Sequence, residues 1–88
     1  MQVRGNTNLA SLAMPNLSDL YGYIDVHNNA KLASLTMNNL FLVDGGIISV
    51  LDNPNLASLT MPSLGGGSWW NIIVDPKPAT CNVGLYTC

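Results

Sequence analysis

Residues 29–50 read NAKLASLTMNNLFLVDGGIISV, and the first twelve of them have close copies on both sides in the chain. The copies are NTNLASLAMPNL at residues 6–17 and NPNLASLTMPSL at residues 53–64. Self-similarity at a fixed period is the signature of a repeat architecture, and here the repeat predicts about 3.5 stacked coils of 23–24 residues. Four apolar columns share these offsets: Leu9, Leu32 and Leu56; Leu12, Leu35 and Leu59; Met14, Met37 and Met61; Leu17, Leu40 and Leu64.

The alternation of apolar residues indicates that each coil is built from short strands. The segments GYIDVHNNAKL at residues 22–32 and GIISVLDNPNL at residues 46–56 are in register, and each shows the period-two pattern of a strand with one buried face. The pattern recurs in NIIV at residues 71–74. We expect a second short strand in each SLAM or SLTM run, because Pro15 and Pro62 and the Asn-rich flanks would break a helix there.

The predicted organisation is one solenoid followed by a short C-terminal cap. The cap spans residues 76–88 and contains the chain's two cysteines, Cys81 and Cys88. A disulfide between them would close a short loop and would imply an oxidising compartment, whereas two reduced thiols in a cytosolic protein are the alternative. The solenoid is predicted over residues 1–75, with approximate repeats at 3–25, 26–49 and 50–73.

A column of asparagines stands at the corner before each LASL run. Asn6, Asn29 and Asn53 follow the repeat, and an Asn amide can bond both the turn backbone and the amide of the next coil. We therefore predict a structural ladder; the functional alternative is an amide-lined ligand groove. The extra residue of the longer repeat falls at VDGG, where Gly45 and Gly46 would permit an adjustable turn.

Composition and charge exclude two classes of partner. The 88 residues are 48% hydrophobic and 9% charged, with a net charge of −2 and no basic cluster. Phosphate binding is mainly neutralisation by Lys and Arg, so we expect no nucleic acid. No stretch reaches the roughly 20 apolar residues that span a bilayer.

The start MQVRGNTN lacks the apolar core of a secretory signal, so the chain is either not secreted or a mature or partial form, and we favour the second.

The pattern N-x-x-L-x-S-L-x-M-x-x-L-x-x-V-x-G-G-x-I-x-V runs complete from Asn29 to Val50 and in part on either side. It resembles the receptor L-domain and related leucine-rich-repeat solenoids over roughly residues 3–75. The resemblance implies an all-β, right-handed parallel β-solenoid with little or no helix, in an extracellular or cell-wall-anchored protein used for adhesion, recognition or wall structure. This chain departs from the family in having few coils, an open N-terminal coil and Met in one column.

Candidate chemistry is sparse. His27 is the only histidine, and with no second His, no Glu and no nearby Cys it provides neither a metal site nor a catalytic triad. The serines of the LASL runs recur with the repeat, which explains them as small ladder or turn residues. We therefore assign no catalytic, cofactor-binding or metal-binding residue and expect a non-enzyme. A calcium site remains an alternative for one or two of the acidic residues Asp25, Asp44, Asp52 and Asp75.

Three further sequence features suggest possible functions at the surface. Asn16 begins an N-glycosylation sequon, Asn-Leu-Ser, which would suit a secreted protein. Trp69 and Trp70 would place one side chain in the end of the core and the other outward, either as a terminal cap or as an anchor for a partner or a sugar. Thr36 and Thr60 stack into a threonine column that is too short to bind ice.

Two classes of function follow from these patterns. In the first, the protein is a non-catalytic extracellular structural module that self-associates head to tail through its open solenoid ends, with a filament as the extended form. The basis for this hypothesis is the uncapped edge from Met1 to Leu12. In the second, it is a cell-surface recognition or adhesion domain, or a fragment of one, that binds protein or glycan through one face.

Overall fold

The structure is a computed structural model that describes residues 1–67, 71–86 and 88. In these residues it contains ten short strands and no helix, and the strands stack in parallel as successive coils of a β-solenoid. The stack measures 32 × 22 × 22 Å. The predicted all-β solenoid of stacked parallel strands is confirmed.

Each complete coil contributes three strands. The first coil holds β1 (Gln2–Arg4), β2 (Ser11–Ala13) and β3 (Asp19–Tyr21). The second holds β4 (Ile24–His27), β5 (Ser34–Thr36) and β6 (Leu42–Asp44). The later coils hold β7 (Ile47–Leu51), β8 (Ser58–Thr60), β9 (Asn71–Asp75) and β10 (Thr80–Asn82).

Equivalent strands pair in parallel and form three sheets along the stack. Sheet A has the order β1-β4-β7-β9, sheet B has the order β2-β5-β8-β10, and sheet C pairs β3 with β6. A single bridge from Leu42 to Gly66 continues sheet C into the third coil. The sequence predicted only two strands per coil. Sheet C was missed because each of its three-residue strands carries a single inward residue, Leu20 or Val43, which is too short a pattern to show alternation.

Strand register places the extra residue of the longer repeat where the sequence predicts it. Tyr21 pairs with Asp44, but Ile24 pairs with Ile48, so the additional residue lies between β6 and β7. Gly45 occupies this turn with a φ of 72°, a left-handed conformation that glycine adopts without strain. The insertion therefore stays outside the apolar columns.

The solenoid continues into the segment that the sequence assigned to the cap. In β10, Thr80 pairs with Ser58 in parallel, 22 residues apart, so residues 80–82 form a further rung of sheet B. The corner before β10 is two residues shorter than its predecessors, contains Pro76 and Pro78, and has Lys77 at the position of the ladder asparagine. This change of corner hid the strand from the repeat pattern.

The apolar columns form one continuous core between the sheets. Inward residues of neighbouring coils lie above one another, so each coil buries the side chains of the next. Core residues of the first coil, in contrast, are only partly buried. The buried apolar residues are Ile24, Val26, Leu32, Leu35, Met37, Leu40, Val43, Ile48, Val50, Leu56, Leu59, Met61, Leu64, Val74 and Val83.

Candidate functional site

The N-terminal end of the stack exposes strand edges and apolar side chains together. β1 and β2 are the outermost strands of sheets A and B at this end, and β3 is the matching strand of sheet C. The inward residues Val3, Leu12 and Leu20 are only partly buried. Their partners one coil further on, in contrast, are fully buried. The N-terminal end thus combines partly exposed apolar side chains with the outer edges of two sheets.

The C-terminal end is partly closed over the core. Cys81 of β10 and Cys88 form the predicted disulfide, with 6.4 Å between their Cα atoms, and both residues pack against the core. Val83 is buried, and the Leu85 amide donates a hydrogen bond to the Leu64 carbonyl at 3.0 Å. β9 and β10 are the outermost strands of sheets A and B here, so both sheets end at the same two ends of the molecule.

The asparagine column has the geometry of a ladder in the structure. Asn29 Oδ1 accepts hydrogen bonds from the backbone amide and from Nδ2 of Asn6, at 3.1 and 2.9 Å. Asn53 Oδ1 accepts the same two bonds from Asn29, both at 3.0 Å. Asn29 and Asn53 are buried, whereas Asn6 is exposed.

One amide proton of each buried ladder asparagine is donated back to the preceding coil. Asn29 Nδ2 donates to the Val3 carbonyl and Asn53 Nδ2 to the Val26 carbonyl, each at 3.0 Å. The Asn29 carboxamide therefore ties three consecutive corners together, and the Asn53 carboxamide ties two, since its other proton goes to the Leu51 carbonyl of its own coil. Because these groups already have partners, the same amides have little freedom to bind a ligand. This arrangement favours the structural interpretation over the amide-lined groove.

The outer face of sheet A forms a shallow groove of about 310 Å³ that the sequence analysis did not identify. Its apolar floor includes Tyr23, Ile47 and Ile73, which are 48%, 44% and 46% exposed. Ile47 and Ile73 occupy outward strand positions, so their apolar character was the available signal. Further lining residues are Arg4, Ile24, Asp25, His27, Ser49 and Leu51.

Charged side chains line one side of this groove. Arg4 donates through Nε and Nη2 to Asp25 Oδ2, at 2.8 and 2.6 Å. His27 Nε2 lies 3.1 Å from Asp52 Oδ2, and its Nδ1 lies 3.9 Å from Asp25 Oδ1. The His27 side chain is only 24% exposed, since it lies between acidic residues of successive coils.

A second concavity, of about 400 Å³, lies at the corner after sheet A. Asn28 and Asp52 shape it with left-handed φ values of 58° and 54°. The two residues form one column with Gly5, whose φ is 64°. Ala30, Pro54 and Pro76 complete the lining, which offers few groups that could bind a ligand specifically.

The outer face of sheet B carries small polar side chains. The serines of the LASL runs face outward in β2, β5 and β8, and not in turns, and Thr80 continues their row. Ala13, Thr36, Thr60 and Asn82 form the neighbouring row. The threonine column therefore gains no third threonine from β10.

The other candidate residues remain separate from these surfaces. Asn16 is exposed in the turn after β2, where its side chain is accessible to modification. Trp69 and Trp70 lie outside the described residues. Within residues 1–67, 71–86 and 88, no group of three or more His, Cys, Asp or Glu side chains could hold a metal ion. The same part of the chain contains no helix long and apolar enough to cross a membrane.

Comparisons with protein-family models, with curated proteins and with solved structures found no match to this chain.

Proposed function

We propose that this protein is a non-catalytic structural module that stacks head to tail with further copies of itself, with a filament as the extended form. The observation that carries the proposal is the N-terminal end. It presents the same apolar columns that are buried in the middle of the stack, here only partly buried and flanked by the edges of β1 and β2. Open parallel edges with apolar neighbours favour pairing with another chain.

Head-to-tail stacking is a heterologous contact, in which the N-terminal end of one copy meets the C-terminal end of another. Such contacts propagate unless a rotation closes them into a ring. Both sheets A and B run from the N-terminal to the C-terminal end, so an added copy would continue both of them. A β-solenoid with edge strands at both ends suits this mode of growth.

We further propose an extracellular or cell-surface location and a relationship to the leucine-rich-repeat and receptor L-domain solenoids. The disulfide supports an oxidising compartment. Asn16, exposed within its sequon, supports a glycosylated surface. The repeat pattern from Asn29 to Val50 supports the family relationship.

Sedimentation velocity over a concentration series tests the proposal. The average sedimentation coefficient should rise with concentration for the wild-type chain. Leu12→Lys, which puts a charge into the exposed apolar end, should abolish the rise. Ala13→Lys is the matched control, because Ala13 lies next to Leu12 on β2 and points outward, and it should leave association unchanged. A single concentration-independent species for the wild type would refute head-to-tail stacking.

The groove on sheet A favours a second candidate function, recognition of a protein or glycan ligand at a cell surface. An exposed aromatic ring beside aliphatic side chains and a charged margin is the composition of many recognition surfaces. Tyr23, Ile47 and Asp25 provide these three elements. Binding to immobilised glycans or surface proteins that is lost in Ile47→Asp, with an unchanged unfolding midpoint, would support this function; binding that Ile47→Asp leaves intact would exclude the groove.

A further inference from the structure

We infer the register of the head-to-tail joint: β1 of one copy pairs in parallel with β9 of the next, so that Arg4 lies beside Asp75 and Gln2 beside Ile73. This inference rests on the proposed stacking. It adds to that proposal the identity of the paired strands, their alignment and the ion pair that fixes it. The partner is a second copy of this chain.

The register follows from the rows that already run through sheet A. One outward row contains Gln2, Asp25, Ser49 and Ile73, and the next contains Arg4, His27, Leu51 and Asp75. Each row is one residue per strand, in line across the sheet. If a further copy continues the sheet without a shift, its β1 enters these same rows, and the inward Val3 then lies over Val74. A shift by one residue would turn Val3 outward and expose it.

Charge complementarity supports this alignment. Asp75, an exposed residue, ends its row, and Arg4, whose side chain is 56% exposed, begins the same row. Opposite charges directly across a strand pair are favourable, whereas like charges are not. Arg4 uses Nε and Nη2 for Asp25, which leaves Nη1 to reach a second carboxylate.

Sheet B is consistent with the same joint. Its inward row runs through Leu12, Leu35, Leu59 and Cys81, so an added β2 would lay Leu12 against the Cys81–Cys88 disulfide. The outward positions at this joint are small or polar: Ser11 would lie beside Thr80 and Ala13 beside Asn82. The outward rows of both sheets can therefore continue in one step without bringing like charges together.

Engineered disulfides test the alignment directly. In the inferred joint, Gln2 and Ile73 are neighbours on adjacent strands at about 4.8 Å, a separation that a disulfide bridges. The double variant Gln2→Cys/Ile73→Cys should give a reducible ladder of multimers on oxidation, with positions 2 and 73 linked in peptide maps. The matched control is Gln2→Cys/Asn71→Cys. Asn71 lies on the same outward face of β9 but two residues away, roughly 8 Å from Gln2 in this register, beyond disulfide reach.

The outcomes distinguish the inferred register from the proposed head-to-tail stacking. A ladder for the Ile73 variant and none for the Asn71 variant would support the register. Equal ladders, a ladder only for Asn71, or no ladder from a protein that still associates in sedimentation would overturn the register and leave stacking intact. If the wild-type chain does not associate at all, both fail.

Charge reversal gives a second, non-covalent test. R4D and D75R should each associate roughly tenfold more weakly than wild type, because each replaces an attraction by a repulsion at the joint. An equimolar mixture of the two should recover association, since every joint between unlike copies then pairs opposite charges. Circular dichroism checks that both variants fold. Failure of the mixture to recover, from two folded variants, would contradict the Arg4–Asp75 pair.

Discussion

The first and second coils contain nearly the same side chains in the same columns, yet their burial differs completely. Leu35 and Met37 are 0% exposed in the second coil, whereas Leu12 and Met14 of the first coil are only partly buried. Leu12 pairs in register with Leu35, and each methionine directly follows its strand. Side-chain type and local backbone are thus not the cause of the difference.

The cause is the number of neighbours. A coil inside the stack is covered on both sides, whereas the first coil is covered only by the second. In a solenoid, stability is approximately a sum of coil terms and contacts between adjacent coils, so a terminal coil contributes less than an internal one. The comparison also locates the surface that the proposed joint would cover.

The largest expected effect distinguishes two glycines of one column. A Cβ at Gly46 would overlap the Gly22 carbonyl of the preceding coil. The nearest atoms all belong to the Gly22 backbone, so no flexible side chain could move aside. We expect Gly46→Ala to destabilise by more than about 4 kcal/mol. At Gly22 a Cβ would meet nothing within 4 Å, so Gly22→Ala should cost only the strain of its φ of 139°. Urea unfolding measures both, and equal losses would contradict the close packing of these coils.

Truncation of the same leucine column should show the neighbour effect in the core. Leu35→Ala should destabilise by about 2–5 kcal/mol through the cavity it leaves, because Leu35 is fully buried. Leu12→Ala should cost less than half as much. The comparison requires dilute protein, at which copies do not associate. A loss below about 1 kcal/mol for Leu35→Ala would mean that this position is not core.

Removal of a ladder amide should be the next largest effect. Asn29→Ala deletes the acceptor of two Asn6 bonds and the donor to the Val3 carbonyl, in a buried corner. We expect a loss of roughly 2–3 kcal/mol from the polar groups left unpaired. Asn6→Ala is the control, since Asn6 is exposed and water can replace its partners. Chemical denaturation of both variants checks the difference, and an Asn6→Ala loss as large as that of Asn29→Ala would rule it out.

The smallest expected effect concerns the opposite end of the stack. The Cys81–Cys88 disulfide closes a loop with a sequence separation of 7, and such a short loop restricts the unfolded chain modestly. Its reduction should lower stability by about 2 kcal/mol. The masses measured with and without reductant should differ by two hydrogens. Denaturation under the same two conditions measures the change in the free energy of unfolding. Free thiols in protein from its natural source would contradict the extracellular proposal.

The repeat made much of this fold predictable from the sequence. Strict columns such as Leu12, Leu35 and Leu59 give both the coil length and the register, because stacked coils place equivalent residues together. The third sheet was not predictable, since one inward residue such as Val43 in a three-residue strand shows no period. β10 was hidden by its shortened, proline-containing corner.

The candidate surfaces were less predictable than the fold. The partial burial of the first coil could be predicted from the repeat, because a terminal coil of a stack is covered on one side only. The sheet A groove could not be predicted, since it depends on side chains from four strands that are far apart in sequence, such as Arg4 and Ile73. The same holds for the enclosure of His27 between Asp25 and Asp52.

Electron microscopy of the purified protein across a concentration series tests the central claim most directly. Head-to-tail stacking predicts filaments that lengthen with concentration and have an axial repeat of about 19 Å, the height of four strand levels in sheet A. Leu12→Lys should eliminate them. Dispersed single particles at every concentration would contradict stacking and would leave recognition through the sheet A groove as the better account of this protein.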